Sequence, residues 1–118
     1  MRRGGKTIPA GVTTIGESAF SGCTSLASVT IPDGVTEIRT HAFVKCKSLK
    51  SVSIPKSVTY IGVVAFSNCP NLKEVHYGST MKQWKLIDIG HDYSFADAFD
   101  KDVIVHCTDG DIAWNAKD

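Results

Sequence analysis

The chain has 118 residues, of which 42% are hydrophobic and 21% are charged, and its formal net charge is +1. This length suits one domain, and the composition is that of a globular protein rather than a disordered one. No apolar run approaches the ~18 residues of a membrane-spanning helix, and a near-neutral chain lacks the basic character of nucleic-acid-binding domains. We therefore expect neither membrane insertion nor a nucleic-acid partner, and no signal peptide is visible after Met1.

Residues 1–7 are predicted to form only a partial N-terminal strand. The stretch Gly5-Lys6-Thr7 ends like a phosphate-binding loop, but that motif also requires a glycine five positions before Gly5 and a preceding strand. Gly5 lies too close to the start of the chain for either feature, so we do not expect phosphate to bind here.

Residues 8–77 consist of three similar segments, 8–30, 31–53 and 54–77, in which equivalent residues recur at an interval of 23 without a gap. Ten of the 23 columns are identical in all three segments, including an Ile-Pro pair, an Ala-Phe pair and a cysteine. The large apolar side chains of one segment would contribute about 9–18 kcal/mol on burial, whereas ordering its backbone costs about 1–2 kcal/mol per residue. One segment cannot fold alone, so the segments are predicted to stack with equivalent residues in columns.

Within each segment, the spacing of the apolar residues predicts two inward-facing stretches and a turn of helix. Val29 and Ile31, at the junction of the first two segments, point inward from a short strand, since alternate residues of a strand face opposite sides. Val35 and Ile38 form a second inward-facing stretch. The Ala-Phe-x-x-Cys block at residues 42–46 fits about one turn of helix on the opposite side.

These motifs resemble the BspA-like class of leucine-rich repeats. The likeness rests on the L-x-x-V/I-x-I-P strand, the V-T-x-I stretch and the A-F-x-x-C block of residues 8–77, and it extends through a similar C-terminal cap region to about residue 110. It implies an α/β fold: a right-handed leucine-rich-repeat solenoid of three 23-residue repeats, with short parallel strands on the concave face and a C-terminal capping region.

Residues 78–118 are predicted to form that cap, because the columns stop at Tyr77 and the last repeat would otherwise expose its apolar edge. Ser79-Thr80 can cap the N-terminus of a short helix that carries Trp84, and residues 103–107 form a β-rich run followed by a turn. Aspartates of this region would give it a soluble outer face: Asp88, Asp92, Asp97, Asp100, Asp102, Asp109 and Asp111.

The N-terminal edge of the stack has no comparable cap. Val12, Ile15 and Phe20 would face whatever precedes them, and an unpaired parallel edge is prone to association. We expect either further repeats before this segment or self-association of two chains through this edge.

The cysteines are predicted to fill the core rather than to react. Cys23, Cys46 and Cys69 occupy one inward column, where parallel Cβ vectors suit a disulfide poorly and cannot converge on one metal ion. We interpret them as small buried hydrophobes, and we expect Cys107 to be unpaired.

The histidines and aspartates likewise indicate no catalytic or metal site. No histidine pair has H-x-x-x-H spacing, and His106 and Cys107 would point to opposite faces of a strand. Asp97, Asp100 and Asp102 lack the order of a calcium-binding loop. We therefore predict no enzyme activity, no cofactor and no metal ion.

The candidate partner-binding residues alternate with the inward strand residues and so point outward. Small hydroxyl side chains in the first two segments would leave a shallow polar trough, with an acidic residue and a histidine at one end. These residues are Ser28, Thr30, Ser51, Ser53, Glu74 and His76. The alternative, that they only solubilise the sheet, stays open. A basic group without interleaved aromatics is interpreted as solvated convex surface, with an acidic partner or a glycan as the alternative: Arg39, Lys45, Lys47, Lys50 and Lys56.

The residues and the resemblance together predict a non-catalytic protein–protein interaction module. The resemblance implies an adhesin-type protein, on the cell surface or secreted, that binds a host or neighbouring-cell protein through its concave face. An extracellular-matrix or plasma protein is the candidate partner. The alternative is a structural spacer within a longer solenoid, with no ligand of its own.

Overall fold

The computed structural model describes residues 8–90, Phe99 and residues 102–115. In chain order, its elements are β1 (Thr14–Ile15), β2 (Ser28–Thr30), β3 (Glu37–Ile38), β4 (Ser51–Ile54), β5 (Tyr60–Ile61), β6 (Glu74–Tyr77), α1 (Met81–Leu86), β7 (Asp88–Ile89), β8 (Ile104–Cys107) and β9 (Gly110–Ala113). The partial strand expected in residues 1–7, and the residues Asp97 and Asp100, lie outside the described residues.

The strands alternate along the chain between two sheets. The first sheet has the order β1-β3-β5-β7 and is parallel. The second sheet has the order β2-β4-β6-β8-β9 and is parallel except for β9, which runs antiparallel to β8. The chain therefore has the predicted α/β character with parallel strands, and it returns to each sheet once per segment.

Residues that are 23 positions apart in the sequence lie side by side in both sheets. Ser28 pairs with Ser51, which pairs with Glu74, in the second sheet. Ile15 pairs with Ile38 in the first sheet. This register confirms the predicted columns and brings the apolar residues of successive segments into direct contact.

The inward-facing residues form one continuous apolar core. Val29, Val52 and Val75 are at most 3% exposed, and Val35 and Ile38 are fully buried. No polar or charged residue is buried in the described part of the chain. The core therefore depends on apolar packing.

The Ala-Phe-x-x-Cys block forms a wide turn, so the predicted turn of helix is wrong. The backbone N–H groups of His41, Phe43 and Lys45 donate across to the carbonyls of Val63, Ala65 and Ser67 in the following segment. Only the alternate N–H groups bond within their own turn. In a helix every N–H group points along the helix axis. Here every second N–H group donates to a carbonyl of the following segment, so these residues do not form a helical turn.

Left-handed backbone conformations allow this wide turn, and they recur at the same interval as the sequence repeat. Ser18, His41 and Val64 have φ angles of 58°, 63° and 49°. This conformation is costly for a β-branched residue such as Val64. It is retained because it aims the alternate N–H groups at the next segment.

A ladder of phenylalanine rings runs through these turns. Phe20, Phe43, Phe66 and Phe99 stack with centroid separations of 5.0, 5.0 and 4.9 Å and with interplanar angles of 5° or less. The prediction that the columns stop at Tyr77 is wrong, because Phe99 extends this ladder and β8 pairs in register with β6. The chain beyond Tyr77 therefore first adds residues to the stack and then covers its end.

The predicted short helix and strand after Tyr77 are confirmed. Thr80 caps α1, with its hydroxyl oxygen accepting from the N–H of Gln83 at 3.1 Å. Trp84 is buried, and its indole N–H donates to the carbonyl of Trp114 at 2.9 Å. This bond joins the helix to the end of the β8–β9 hairpin. The side chain of Trp84 thereby covers the last apolar layer.

Replacing Phe43 by alanine is expected to destabilise the fold by about 3–5 kcal/mol, because the ring is fully buried and stacked on both sides. Phe20 supplies a matched control, since it is only partly buried and stacks on Phe43 alone. Urea unfolding followed by circular dichroism compares the two variants. A loss below about 1 kcal/mol for Phe43→Ala would show that the ladder does not support the core.

Gly62 lies where the backbones of two segments approach closely. A Cβ at this position would lie 2.6 Å from the backbone nitrogen of Thr40, whereas a Cβ at the equivalent Gly16 would have nothing within 4 Å. Gly62→Ala is therefore expected to cost about 1–3 kcal/mol through overpacking. Gly16→Ala is expected to leave the free energy of unfolding unchanged or to raise it by about 0.4–1 kcal/mol, because alanine gives the unfolded chain less conformational freedom than glycine. Equal unfolding midpoints of the two variants would contradict this close approach.

Candidate partner-binding surface

The outward face of the second sheet carries every residue that the sequence predicts for partner binding. Ser28, Thr30, Glu74 and His76 are exposed, and the two serines of β4 are half-buried on the same face. Their inward neighbours in the same strands are buried. The strand alternation that predicted this face is therefore confirmed in geometry.

The register arranges the outward residues in two rows that cross the strands. The first row runs Ser28, Ser51, Glu74, Ile104 and Ala113. The second row runs Thr30, Ser53, His76, His106 and Asp111. Small hydroxyls fill β2 and β4, so the charged and aromatic groups are concentrated on β6, β8 and β9.

At that end, two imidazole rings lie face to face and each contacts a carboxylate. The rings of His76 and His106 have centroids 5.2 Å apart and are inclined by 21°. His106 Nδ1 lies 2.9 Å from an oxygen of Asp111, and His76 Nε2 lies 3.6 Å from an oxygen of Glu74. We refer to Glu74, His76, Ile104, His106 and Asp111 as the acid–imidazole patch.

The patch is open to solvent. The side chains of Glu74 and Asp111 are 54% and 61% exposed, and those of His76 and His106 are 52% and 34% exposed. Ile104 is 38% exposed, which is unusual for a large apolar residue in this chain. The arrangement offers carboxylate acceptors, planar ring faces and an apolar surface to a partner.

Sequence reasoning missed Ile104, His106 and Asp111 as part of this surface. The segment Glu74-Val75-His76 and the segment Ile104-Val105-His106 share a Val-His pair, which was a usable signal. It was hidden because the interval of 30 residues between the two histidines departs from the 23-residue repeat.

The outward face of the first sheet is the second polar surface. Glu37 and Arg39 form an ion pair at 3.2 Å, and both are largely exposed. With Glu17, Thr40 and Tyr60 they line a hollow of about 370 Å³. An exposed pair of this kind contributes little to stability or affinity, and the hollow lacks an exposed apolar group.

The cysteine column lies in the core as predicted. Cys46 and Cys69 are fully buried, Cys23 and Cys107 are half-buried, and all four are free thiols. The thiols of Cys46 and Cys69 donate to the carbonyls of Phe20 and Phe43, each at 3.2 Å. A hydrogen bond from Cys69 lowers the pKa of Cys46 to about 7, against the opposing effect of burial. Burial raises the pKa of Cys107, and the carboxylates of Asp109 and Asp111 add to that effect.

Within residues 8–90, Phe99 and 102–115, no three histidine, cysteine or acidic side chains are grouped so that they could hold a metal ion. None of the helices in the same residues has the length and apolar character needed to cross a bilayer.

Comparison with known proteins places the fold in a family. No curated protein matches the chain. The crystal structure of a leucine rich cell surface protein from Faecalibacterium prausnitzii A2-165 is similar, with 45% sequence identity and a TM-score of 0.63 over 64% of this chain. The match covers 20% of that protein, so the chain spans about a fifth of its length. The family model described as the BspA type leucine rich repeat region (6 copies) matches residues 6–97. Since that match covers well over half of the chain, the protein belongs to the BspA-type leucine-rich-repeat family.

Proposed function

We propose that the chain is a non-catalytic protein-interaction module whose partner docks on the outward face of the second sheet. The observation that carries this proposal is the acid–imidazole patch at one end of a row of small hydroxyl side chains. Strand pairing holds these groups in fixed register, so they are preorganised for an extended partner. Membership of a family of non-enzymatic repeats supports the same reading.

The proposed architecture is a right-handed solenoid of three 23-residue repeats in residues 8–77, closed by a cap in residues 78–118. The parallel register of successive segments supports it. In this architecture the second sheet forms the concave face. A concave face suits binding because one partner can contact several segments at once.

We further propose an adhesin-type role on the cell surface or in the secreted state, with a host or neighbouring-cell protein as the partner. The similar solved protein is described as a cell surface protein, which supports this location. Extracellular-matrix and plasma proteins are the first candidates for the partner.

The alternative is a spacer that stacks without binding a ligand of its own. Val12, Phe20 and Cys23 are only partly buried at the edge that β1 and β2 form, and each of these strands pairs on one side among the described residues. Such an edge favours association with another copy of the chain. A spacer would therefore self-associate through this edge and bind nothing else.

The binding proposal is tested by immobilising the chain and measuring its binding to a panel of matrix and plasma proteins. Saturable binding is expected for the wild type. The double variant Glu74→Ala/His76→Ala is expected to weaken it about tenfold or more, since exposed acid and ring contacts of this kind contribute about 1–2 kcal/mol together.

The matched control is Thr14→Ala/Asp88→Ala, which changes two exposed residues on the outward face of the first sheet. It is expected to bind like the wild type. If a folded, monomeric wild type binds no panel protein, the spacer alternative is favoured. If both double variants weaken binding equally, the partner does not use the second sheet.

A further inference from the structure

We infer that the acid–imidazole patch selects an extended polypeptide segment that presents arginine. This inference rests on the proposed function, because it names the chemistry of the partner on the same face. It depends on the charge of the patch, on the shape of its groups and on their order along the rows.

The charge of the patch is set by two carboxylates. Glu74 and Asp111 each carry one negative charge, and no basic side chain shares their two rows. The neighbouring strand β4 contributes only Ser51 and Ser53, and β8 and β9 contribute Ile104, His106 and Ala113. The two carboxylates therefore give these two rows a negative charge that is complementary to a cation.

The shape of the patch fits a guanidinium group better than an ammonium group. Guanidinium is planar, it donates in a fork to carboxylate oxygens, and it stacks on flat rings. The rings of His76 and His106 cover each other's inner faces, so the outer faces of the stacked pair are the flat surfaces beside the carboxylates on which such a group can stack. Ile104, exposed in the adjacent row, can cover the methylene stem of the same side chain.

The rest of the face favours an extended segment. Ser28, Thr30, Ser51 and Ser53 are small, so β2 and β4 present a low surface that a backbone can approach. Their hydroxyls can donate to or accept from the peptide groups of that backbone. The partner therefore lies across the strands, with its arginine over β6 and β8.

The test uses the whole chain and two glycine/serine-rich peptides. One peptide carries two arginines, and the other carries two citrullines, which have nearly the same shape without the charge. Binding is measured by nuclear magnetic resonance titration at low salt, which detects millimolar affinities and locates the shifted residues. The arginine peptide is expected to bind about tenfold more tightly than the citrulline peptide, with shifts at β6, β8 and β9.

Two pairs of variants separate the causes. Glu74→Gln/Asp111→Asn is expected to abolish the preference for arginine, whereas Glu37→Gln/Asp88→Asn removes the same charge from the first sheet and is expected to preserve it. His76→Gln/His106→Gln removes the flat rings and keeps both carboxylates, so it is expected to weaken binding of the arginine peptide several-fold. Thermal unfolding of each variant verifies that the fold is retained.

Equal binding of the two peptides, or an arginine preference that survives Glu74→Gln/Asp111→Asn in a folded chain, would overturn the inference. Binding of a panel protein together with indifference to arginine would overturn this inference alone and leave the proposed function standing. Selective arginine binding without any panel partner would support the inference and contradict the proposed choice of partner proteins.

Discussion

The structure depends on the equal spacing of successive segments along the stack. Paired strands lie about 4.8 Å apart, and the rings of Phe20, Phe43, Phe66 and Phe99 follow at 5.0, 5.0 and 4.9 Å. Backbone pairing and ring stacking therefore require nearly the same distance between successive segments, so neither distorts the other. Most of the ten residues that all three segments share lie in the inward columns, where each side chain packs against its equivalents in the neighbouring segments. The shared threonine is the clear exception, because it is exposed in every segment.

That constraint also decides how much the sequence could reveal. The 23-residue interval was sufficient to predict the columns, the two inward-facing stretches and the outward residues from Ser28 to His76. The turn at residues 42–46 could not be predicted from local spacing, because its N–H groups bond to the next segment and a helical turn shows the same apolar pattern. Phe99 was hidden for a similar reason. It lies 33 residues after Phe66, and the ten additional residues conceal a column that the ring stack makes plain.

Only part of the acid–imidazole patch could be predicted from the sequence, and the residues that were missed show why. Glu74 and His76 follow from strand alternation within a repeat, whereas His106 and Asp111 join them only through the pairing of β6, β8 and β9. At the same end of the stack, Trp84 is buried and its indole N–H donates to the carbonyl of Trp114, which directly follows β9. The closing layer of the stack therefore does more than cover the core, since it supplies half of the charged outward groups.

The same short spacing restricts the charges that the outward rows can carry. Like charges directly opposite each other on paired strands destabilise a sheet, so a column of acids or of lysines would work against the stack. The outward rows avoid this conflict. Their first two strands carry hydroxyls, Glu74 lies beside Ile104 rather than another acid, and the stacked His76 and His106 are each joined to a carboxylate. Charge is thereby confined to one end of the face, with its two carboxylates in different rows. Under the proposed function, a neutral hydroxyl track that leads to a single charged end would place a partner at one defined position on a repetitive sheet.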